Sequence, residues 1–484
     1  MNQNSLKKEA PHHQERLILK EPENKKTFKF PHIYVILFGI IAFMSLLSFF
    51  IPSGEYERTV GENGQTMIDA ESFTFIENAT IGIIDFISAI PTGFMAAAPV
   101  VFATFVLGGS FMVLQNIGLI QFGVDRLIRA FSNKRIVIIP VLITAFAILA
   151  SFVGTPELCL LYVPILIPLM IKLGYNKILA TAIALVGPTA GFLSALTNPG
   201  TVGISHEIAG LPMYSGAGYR FLVLISIVIV SSIFLMLYAK KLEKNPELVE
   251  EDRKEYEANK SQIEQTVTLT FREKVAGVAA ILLFIGLVAG ILTFRWSFIE
   301  LAGYFLMLGI IVGVIAGMSG EGISESFNKG FKQVMMGAMI IGIARGVVVI
   351  MEESLIIDTI IYALATVVST LPSELSVIGM FFAQWLFNFF VPSGSGQAMI
   401  TMPIMIPLSD ILGITRQTAT LAFQFGDGMS TLLFPTSGHI MAALAIAGVS
   451  WWKWIKFIFP LMLIWLVLGC TFLLIAHFIG WGPF

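Results

Sequence analysis

The sequence contains little charge and almost no cysteine. Only 13% of its 484 residues are charged, whereas 56% are hydrophobic and the mean hydropathy is +0.82. A soluble globular protein carries about 25% charged residues, so this chain lacks the polar surface that water requires. The two cysteines, Cys159 and Cys470, both lie in apolar segments, which argues against a disulfide framework. These shortages exclude a soluble domain and a disulfide-stabilised secreted domain.

Many of the charges that are present occupy two stretches. Residues 1–30 hold eleven charged side chains, and residues 240–274 hold seventeen. Apolar runs long enough to span a bilayer fill most of the remaining chain. We therefore expect an all-α polytopic membrane protein with a charged N-terminal tail (1–31) and a charged linker (240–274) between two halves, 32–239 and 275–484.

We expect about nine transmembrane helices, because nine apolar runs approach the roughly 17–25 residues that a crossing helix needs. They lie near 33–51, 93–116, 178–202, 217–239, 275–294, 298–318, 331–352, 417–443 and 457–478. The basic clusters between these runs fall on one side if the N-terminus is cytoplasmic, as the positive-inside rule requires. The acidic and polar loop at 52–80 then lies outside.

Two further apolar stretches, 135–171 and 374–409, are each divided by a polar interruption. The interruptions read "SFVGTPE" at 151–157 and "VPSGSGQ" at 391–397. A single crossing by either stretch would place basic clusters on both sides, whereas a re-entrant hairpin keeps the charge rule intact. Irregular backbone at membrane depth is tolerated where protein or a water-filled cavity covers it. We therefore predict two re-entrant hairpins; flexible linkers are the simpler alternative.

The two halves of the sequence resemble each other. With an offset of 239 residues, "PILIPL" at 164–169 aligns with "PIMIPL" at 403–408, and twelve of thirty-four aligned pairs from there to Thr197 and Thr436 are identical. Five predicted crossings separate equivalent positions, and an odd number inverts the second half. Inverted repeats are typical of secondary transporters that bind substrate near the midplane at discontinuous helices.

Each hairpin is followed by a span that contains proline and glycine at a matching place, "GPTAGFLSALTNPGT" at 187–201 and "GDGMSTLLFPTSGH" at 426–439. Broken helices offer free amides to anions and free carbonyls to Na⁺. We expect Gly154, Thr155 and Pro156 to face Thr197, Asn198, Pro199 and Gly200, and Ser393, Gly394, Ser395 and Gly396 to face Thr436, Ser437 and Gly438. A Na⁺ site at Thr155, Asn198, Ser395 and Thr436 fits this pattern. Close helix packing by small residues is the alternative.

Three ionisable residues lie deep in the predicted membrane region. They are Glu157 at the first hairpin tip, Arg345 and Asp427. A midplane charge costs roughly 2.5–3.5 kcal/mol, so such residues are usually paired or functional. In the functional interpretation Arg345 binds a substrate carboxylate, and Glu157 and Asp427 bind a cationic group, a proton or Na⁺. In the structural one Arg345 and Asp427 form an ion pair.

Three segments of the sequence resemble a known family. They are "FPHIYVILFGIIAFMSLLSFFIPSGEYER" (30–58), "FVPSGSGQAMITMPIMIPLSDILGITRQ" (390–417) and "FGDGMSTLLFPTSG" (425–438). They are similar to the YfcC-like branch of the anaerobic C4-dicarboxylate carrier (DcuC-type) family within the ion transporter superfamily. The resemblance implies a homodimer in a bacterial cell membrane, with a scaffold domain and a transport domain that moves as an elevator.

The resemblance leaves the substrate open, because YfcC-like proteins are labelled as basic amino-acid antiporters, arginine–ornithine exchangers or dicarboxylate carriers. Sodium-coupled relatives carry a Ser-Asn-Thr motif at the hairpin tips. This sequence departs from it with Gly154-Thr155-Pro156 and Ser393-Gly394-Ser395.

We expect a secondary transporter, an antiporter of small carboxylate-bearing metabolites such as arginine and ornithine. A cationic amino acid would use both the one deep cation and the two deep acids. A Na⁺- or H⁺-coupled dicarboxylate carrier is the alternative, and a channel or a sensor is a further one. An intramembrane aspartyl protease is disfavoured, because Gln424 replaces the first glycine of the Gly-x-Gly-Asp signature. We expect no cofactor beyond a coupling ion and no nucleic-acid partner.

Overall fold

The structure is a computed structural model that describes residues 33–60, 66–69, 71–131, 135–154, 156–259, 269–294, 296 and 298–482. The predicted tail 1–31 and the site residue Thr155 lie outside the described residues. In chain order the α-helices are α1 Ile33–Leu47, α2 Ile83–Ala96, α3 Ala98–Asn116, α4 Leu119–Phe131, α5 Ile138–Val153, α6 Cys159–Lys172, α7 Lys177–Ser194, α8 Ile204–Ile208, α9 Ala217–Lys244, α10 Glu247–Asn259, α11 Phe271–Phe294, α12 Phe298–Ala316, α13 Gly320–Glu353, α14 Ile357–Ser369, α15 Ser373–Phe390, α16 Gly394–Ile411, α17 Arg416–Thr431, α18 Gly438–Ala447 and α19 Trp451–Phe478.

Four short strands accompany these helices, so the all-α prediction was wrong in this detail. β1 (Gly54–Glu55) pairs antiparallel with β4 (Thr74–Phe75), and β2 (Arg58–Val60) pairs antiparallel with β3 (Thr66–Ile68). All four lie in the loop that follows α1. The sequence signal was weak because strands of two or three residues are too short to establish an alternating pattern.

Among the described residues, seven helices are long and apolar enough to cross a membrane. They are Ala98–Asn116, Arg135–Phe152, Lys177–Ser194, Ala217–Lys244, Ile299–Ala316, Gly320–Glu353 and Trp451–Phe478. The predicted spans 33–51 and 417–443 correspond to α1 and α17, of 15 and 16 residues. Arg135–Phe152 was predicted as a hairpin arm, and the chain does turn back after it into the 14-residue α6.

Two predicted spans differ from the structure at their N-terminal ends. The span predicted at 93–116 is preceded by α2, which starts after Gly82, whose N–H donates to Asp85 Oδ2 at 2.9 Å. The span predicted at 331–352 is the 34-residue helix α13, capped by Ser319. Polar residues near the start of each helical segment made its first turns hard to recognise in the sequence. Helix ends at a membrane boundary tolerate such residues because they are in contact with water or headgroups.

A first group of helices packs around α13. This helix crosses α3 and also contacts α1 and α2, while α12 lies against α3 and α11 against α12. The α3–α13 crossing is close, since a Cβ on Gly330 would overlap the carbonyl group of Gly108. Small residues at membrane helix crossings permit this approach and increase van der Waals contact.

A second group contains two helical hairpins, α5–α6 and α15–α16, each packed on the helix that follows it. α5 lies on α7, where a Cβ on Gly191 would overlap the backbone of Ala147. α15 lies on α17, where a Cβ on Gly426 would come within 2.5 Å of the Gln384 side chain. Helices α9 and α19 pack outside these pairs, and α18 contacts both α6 and α13. Each hairpin therefore touches its neighbouring helix nearly backbone to backbone.

The loop after α1 is attached to α14. Asp358 accepts hydrogen bonds from the Arg58 guanidinium at 3.0 and 2.8 Å and from the Tyr56 N–H at 3.1 Å. The Phe73 ring stacks on Tyr362 with centroids 4.1 Å apart. Burial, together with the nearby Asp358 carboxylate, raises the pKa of the Tyr56 phenol above its usual range. The loop and α14 thus lie on one face of the molecule.

We predict that Asp358→Asn accelerates amide hydrogen exchange at Tyr56. The substitution removes the charge from a buried acceptor of the loop, and a hydrogen bond to a charged group contributes about 1.5–3 kcal/mol, or roughly 10- to 100-fold in exchange. The measurement is hydrogen exchange with mass spectrometry. Asp69→Asn is the matched control, because among the described residues exposed Asp69 forms its bonds within the same loop. Equal exchange in the two variants would contradict the attachment.

The charged linker contains α10, which is attached to the opposite face. The backbone N–H of Lys177 donates to Asp252 at 2.7 Å, and the Lys177 ammonium pairs with Glu255 at 2.6 Å. Arg135 and the Tyr175 hydroxyl both bond Glu243, at 3.0 and 2.9 Å. The predicted charged linker thus contains a helix, α10, that packs against the helix ends on this face.

Candidate functional site

The first hairpin turns at Gly154, directly against the first helix break. Gly154 ends α5 with φ +73°, and a Cβ there would overlap the side-chain amide of Asn198. The left-handed conformation and the lack of space both require glycine. α7 ends at Ser194, after which the Thr197 N–H donates to the Ser151 carbonyl at 3.2 Å. The predicted contact between this tip and this break is therefore present in the structure.

The first break continues as a π-helical turn, Pro199–Gly203, before α8. Asn198 caps it by accepting the Gly200 N–H at 2.9 Å with Oδ1, which leaves its Nδ2 without a partner. The 3₁₀ turn Pro156–Leu158 of the first hairpin contacts both α7 and α18. The first tip thus lies between the two broken helices.

The second hairpin tip contacts the first break and Asp427. A Cβ on Gly394 would lie 2.6 Å from Asp427 Oδ2 and 2.6 Å from Thr201 Cγ2. α16, which begins at Gly394, contacts α8, the π-helical turn and α17. We predicted Thr436, Ser437 and Gly438 as its neighbours; its contacts with the first break and with Asp427 were not predicted. Both tips therefore converge on residues 198–201.

Asp427 is buried at the centre of this arrangement. Its Oδ1 accepts a hydrogen bond from Asn388 Nδ2 at 2.7 Å, and its Oδ2 has no hydrogen-bond partner among the described residues. Only 2% of the residue is exposed. Half-buried Glu157 lies near enough for the two carboxylates to repel each other. Two neighbouring acids with an unpaired oxygen form a site of negative potential that favours a cation.

A network of buried amides supports Asp427, and sequence reasoning missed it. Asn388 also donates to Gln397 Oε1 at 2.8 Å, and Gln397 donates to Gln384 Oε1 at 2.7 Å. Gln384 in turn donates to Thr401 at 2.9 Å. Gln384 and Asn388 are four residues apart in a predicted hairpin arm, which places both on one helix face. That spacing was the available sequence signal.

Several buried polar atoms around the tips and breaks have no hydrogen-bond partner in the described part of the chain. They are Asn198 Nδ2, Thr201 Oγ1, Ser205 Oγ, Asn388 Oδ1, Gln424 Oε1, Asp427 Oδ2, Thr436 Oγ1 and Ser437 Oγ. Each unpaired buried polar group costs about 1–3 kcal/mol. A protein that retains so many in one region has a place where a ligand, an ion or water completes the bonding.

The second break starts after α17 ends at Thr431, and α18 begins at Gly438. The Gly438 backbone lies against Ile341 of α13. Arg345 is one helical turn beyond Ile341 on the same face, and its guanidinium pairs with Glu352 at 3.1 Å. The structure therefore gives Arg345 a partner, Glu352, that we did not predict.

The remaining predicted residues surround the tips. Ser393 caps α16 by accepting the Gly396 N–H at 3.3 Å, and Ser395 is half-buried in the first turn. Pro156 is buried in the first tip, and Pro199 starts the π-helical turn. Of the four residues predicted for Na⁺, Asn198 and Thr436 are buried and Ser395 is half-buried, while Thr155 is outside the described residues.

We predict that Asn388→Leu destabilises the protein. The substitution leaves Gln397 Oε1 and Asp427 Oδ1 without their shared donor, and each unpaired acceptor costs about 1–3 kcal/mol. The midpoint of thermal unfolding in detergent should fall by several degrees. Asn116→Leu is the control, since exposed Asn116 makes a single side-chain bond within the described residues, to Ser326. A midpoint equal to that of the control would show that the network contributes little.

Comparison with known proteins places the chain among transporters. The sequence model of the DcuC family, described as the C4-dicarboxylate anaerobic carrier, matches residues 30–478. YfcC of Escherichia coli (strain K12), named as a candidate basic amino acid antiporter, is 29% identical over 476 residues, covering 90% of this chain and 94% of that protein. An uncharacterised protein of Haemophilus influenzae is 27% identical over 499 residues, covering 94% and 98%.

Two solved structures also match. The YdaH transporter of Alcanivorax borkumensis gives a TM-score of 0.44 with 16% identity, covering 94% of this chain and 100% of that one. MtrF of Neisseria gonorrhoeae, from a class of antimetabolite efflux pumps, gives 0.43 with 17% identity, covering 93% and 96%. Because the family match spans nearly the whole chain, the protein belongs to the DcuC family of C4-dicarboxylate anaerobic carriers and is a multi-pass membrane transporter.

Proposed function

We propose that the protein is a secondary antiporter of small carboxylate-bearing metabolites, with basic amino acids such as arginine and ornithine as its substrates. The observation that carries this proposal is the position of Asp427. It lies where both hairpin tips meet the first helix break, and one of its buried oxygens has no partner among the described residues.

A cationic side chain satisfies this site best. A buried, incompletely bonded carboxylate is costly unless a cation pairs with it, and Glu157 increases the negative potential. The unpaired carbonyl oxygens of Asn388 and Gln424 supply further acceptors. A guanidinium group carries five donors in a planar fork, so it can bond a carboxylate and amide oxygens together.

The carboxylate of the same substrate requires donors, and the second break offers them. The hydroxyls of Thr436 and Ser437 precede the N-terminus of α18 and lack partners within the described chain. Helix N-termini attract anions through their free N–H groups and dipole. Arg345 lies one turn beyond the residue that contacts this N-terminus, so we propose that it exchanges Glu352 for the substrate carboxylate.

A Na⁺- or H⁺-coupled C4-dicarboxylate carrier is the second candidate, favoured by the description of the family. In that case the coupling ion would bind near Asp427 or at Asn198, Ser395 and Thr436, together with Thr155. A dicarboxylate has no cationic group to pair with Asp427 and Glu157, so it would need Na⁺ or protons to neutralise them.

We also propose that the two halves are inverted repeats with nine crossings and two re-entrant hairpins. Helices α4 and α14 have 13 residues each, and α9 and α19 have 28 each. The segment 83–116, interrupted at Ala97, matches α13 in length. The first helix group would serve as the scaffold of a homodimer, and the second as a transport domain that moves as an elevator. The N-terminus would face the cytoplasm of a bacterial cell.

Thermal stabilisation of the purified protein tests this proposal. A ligand that binds only the native state at 100 times its Kd stabilises it by about 2.7 kcal/mol. We expect arginine and ornithine to raise the unfolding midpoint without Na⁺. A shift with succinate or fumarate that requires Na⁺ would replace the proposal by the dicarboxylate alternative. Counterflow of labelled arginine in proteoliposomes then distinguishes a carrier from a channel.

A further inference from the structure

A groove with a basic rim lies between the end of α9 and the start of α19, away from the hairpin tips. Its volume is about 540 Å³, and it is open to the surface. The lining residues are Ile178, Phe234, Leu237, Tyr238, Lys241, Lys453, Lys456 and Phe457. Three lysines and no acid line it, so the groove combines a positive rim with apolar walls.

The three lysines are not neutralised within the described chain. Lys241 and Lys453 form no ion pair there, and the Lys456 ammonium lies 5.0 Å from the centre of the Trp452 ring. Nearby acids bond groups outside the groove, since Glu243 bonds Arg135, Glu255 bonds Lys177, and Asp252 accepts the Lys177 backbone N–H. A cation–π contact leaves the positive charge in place. The rim therefore attracts an anion.

Apolar and aromatic side chains form the walls and floor of the groove. Phe457 packs between the two helices, with its ring centroid 4.7 Å from that of Tyr238 and 5.6 Å from that of Phe234. Away from the rim, α9 and α19 expose mainly apolar side chains, among them Ile233, Leu237, Phe459 and Leu463. Exposed apolar residues on helices of membrane-spanning length face lipid chains. The groove thus passes from a charged edge to the hydrocarbon region.

The Tyr238 hydroxyl is a polar group in the groove that a hydrogen bond holds in place. The Tyr238 hydroxyl accepts a hydrogen bond from Asn176 Nδ2 at 3.0 Å. Its own hydrogen has no acceptor within the described residues, so it can donate to an oxygen bound between the lysines. Asn176 also caps α7, which fixes the position of this pair.

We propose that this groove binds one anionic phospholipid, with the phosphodiester between Lys241, Lys453 and Lys456 and an acyl chain along Phe234, Leu237 and Phe457. Basic groups at a membrane surface attract acidic headgroups, and the apolar wall requires a ligand that carries a hydrocarbon chain. A free phosphate ester would bind the lysines of the rim but leave the apolar wall without a partner. The lipid would bind the helix group that contains both hairpins.

The test uses the full-length protein in neutral detergent. Dioleoylphosphatidylglycerol is added at increasing concentration, and dioleoylphosphatidylcholine and glycerol 3-phosphate are added in separate series. We expect phosphatidylglycerol to raise the unfolding midpoint and the other two to change it little. The triple variant Lys241→Gln, Lys453→Gln, Lys456→Gln should lose most of the shift, and native mass spectrometry should detect fewer retained lipids.

The matched control is a second triple variant, Lys240→Gln, Lys244→Gln, Lys274→Gln. It removes three exposed lysines from the same face that do not line the groove. We expect it to retain the shift and the bound lipid. The proposal is overturned if the control loses as much as the groove variant, if the groove variant keeps the full shift, or if glycerol 3-phosphate stabilises as well as the lipid. Should the groove variant elute as an aggregate, Lys453→Gln alone is measured by mass spectrometry.

Discussion

With arginine as the substrate, Asp427→Asn should lower the exchange of labelled arginine in proteoliposomes by about 100-fold. Removing one partner of a buried charge pair costs about 2–5 kcal/mol. Each 1.4 kcal/mol corresponds to a factor of ten in affinity. Arginine should also lose its stabilising effect on thermal unfolding. Both effects follow from the loss of the charge opposite the guanidinium group. The shape of the side chain is almost unchanged.

The fold should tolerate this substitution. Asparagine keeps the oxygen that accepts from Asn388, and it removes a buried charge whose desolvation is unfavourable. The midpoint of thermal unfolding without ligand should therefore not decrease. A variant that transports poorly but unfolds at the same temperature separates a role in binding from a role in stability.

Asp410→Asn is the matched control. Asp410 is exposed at the end of α16 and pairs with Arg416 at 2.8 Å, and surface ion pairs contribute about 0–1 kcal/mol. Its exchange rate should equal that of the wild type. Arginine exchange at the wild-type rate by Asp427→Asn would remove Asp427 from the site, and the dicarboxylate alternative would then be tested with succinate.

Gly154→Ala is expected to abolish transport and to destabilise the protein. The residue has φ +73°, where a side chain costs about 1–2 kcal/mol. The added methyl group would also overlap the Asn198 amide, and overpacking typically costs about 1–3 kcal/mol. Relief of the overlap requires either that the Asn198 amide gives up its capping bond to Gly200 or that the first tip moves away from the first break. Transport should fall below detection, and the unfolding midpoint should fall by several degrees.

Gly413→Ala separates these two causes. Gly413 has φ +69° and follows α16, but a Cβ there would meet no atom within 4 Å. This control therefore carries the backbone strain without the overlap, and it should transport at close to the wild-type rate. If both variants lose transport equally, strain alone explains the effect and the contact between Gly154 and Asn198 has no functional importance.

The sequence sufficed to locate the hairpins and helix breaks because their signals are local. Proline, glycine and a polar interruption within an apolar run identify them. The similar motifs "PILIPL" and "PIMIPL" show which positions of the two halves correspond. The structure accordingly ends α7 at Ser194 and α17 at Thr431, within the segments predicted to break. Such features depend on backbone chemistry more than on distant partners.

The partners across the site could not be predicted in the same way. We assigned each tip to the break of its own half. Gly154 does meet the first break, and Gly394 also packs there, a contact that we did not predict. The partner of Arg345 is Glu352, seven residues along its own helix. The amides Gln384, Asn388 and Gln397 were overlooked because single polar residues in apolar helices have no recognisable motif. These contacts depend on how helices distant in sequence pack, and local patterns carry no information about that.

Gly191 and Gly426 lie where the hairpin arms pack on the helices that follow them. Each allows a hairpin arm to approach the following helix at backbone distance. Gly191 lies in the last turn of α7, seven residues before Asn198, so the spacing there helps to determine how far the first tip extends over the Asn198 amide. At the proposed site, the affinity for substrate would then depend partly on the distance between two packed helices. Natural variation in side-chain size beside these glycines would tune the carrier without altering any residue that binds substrate.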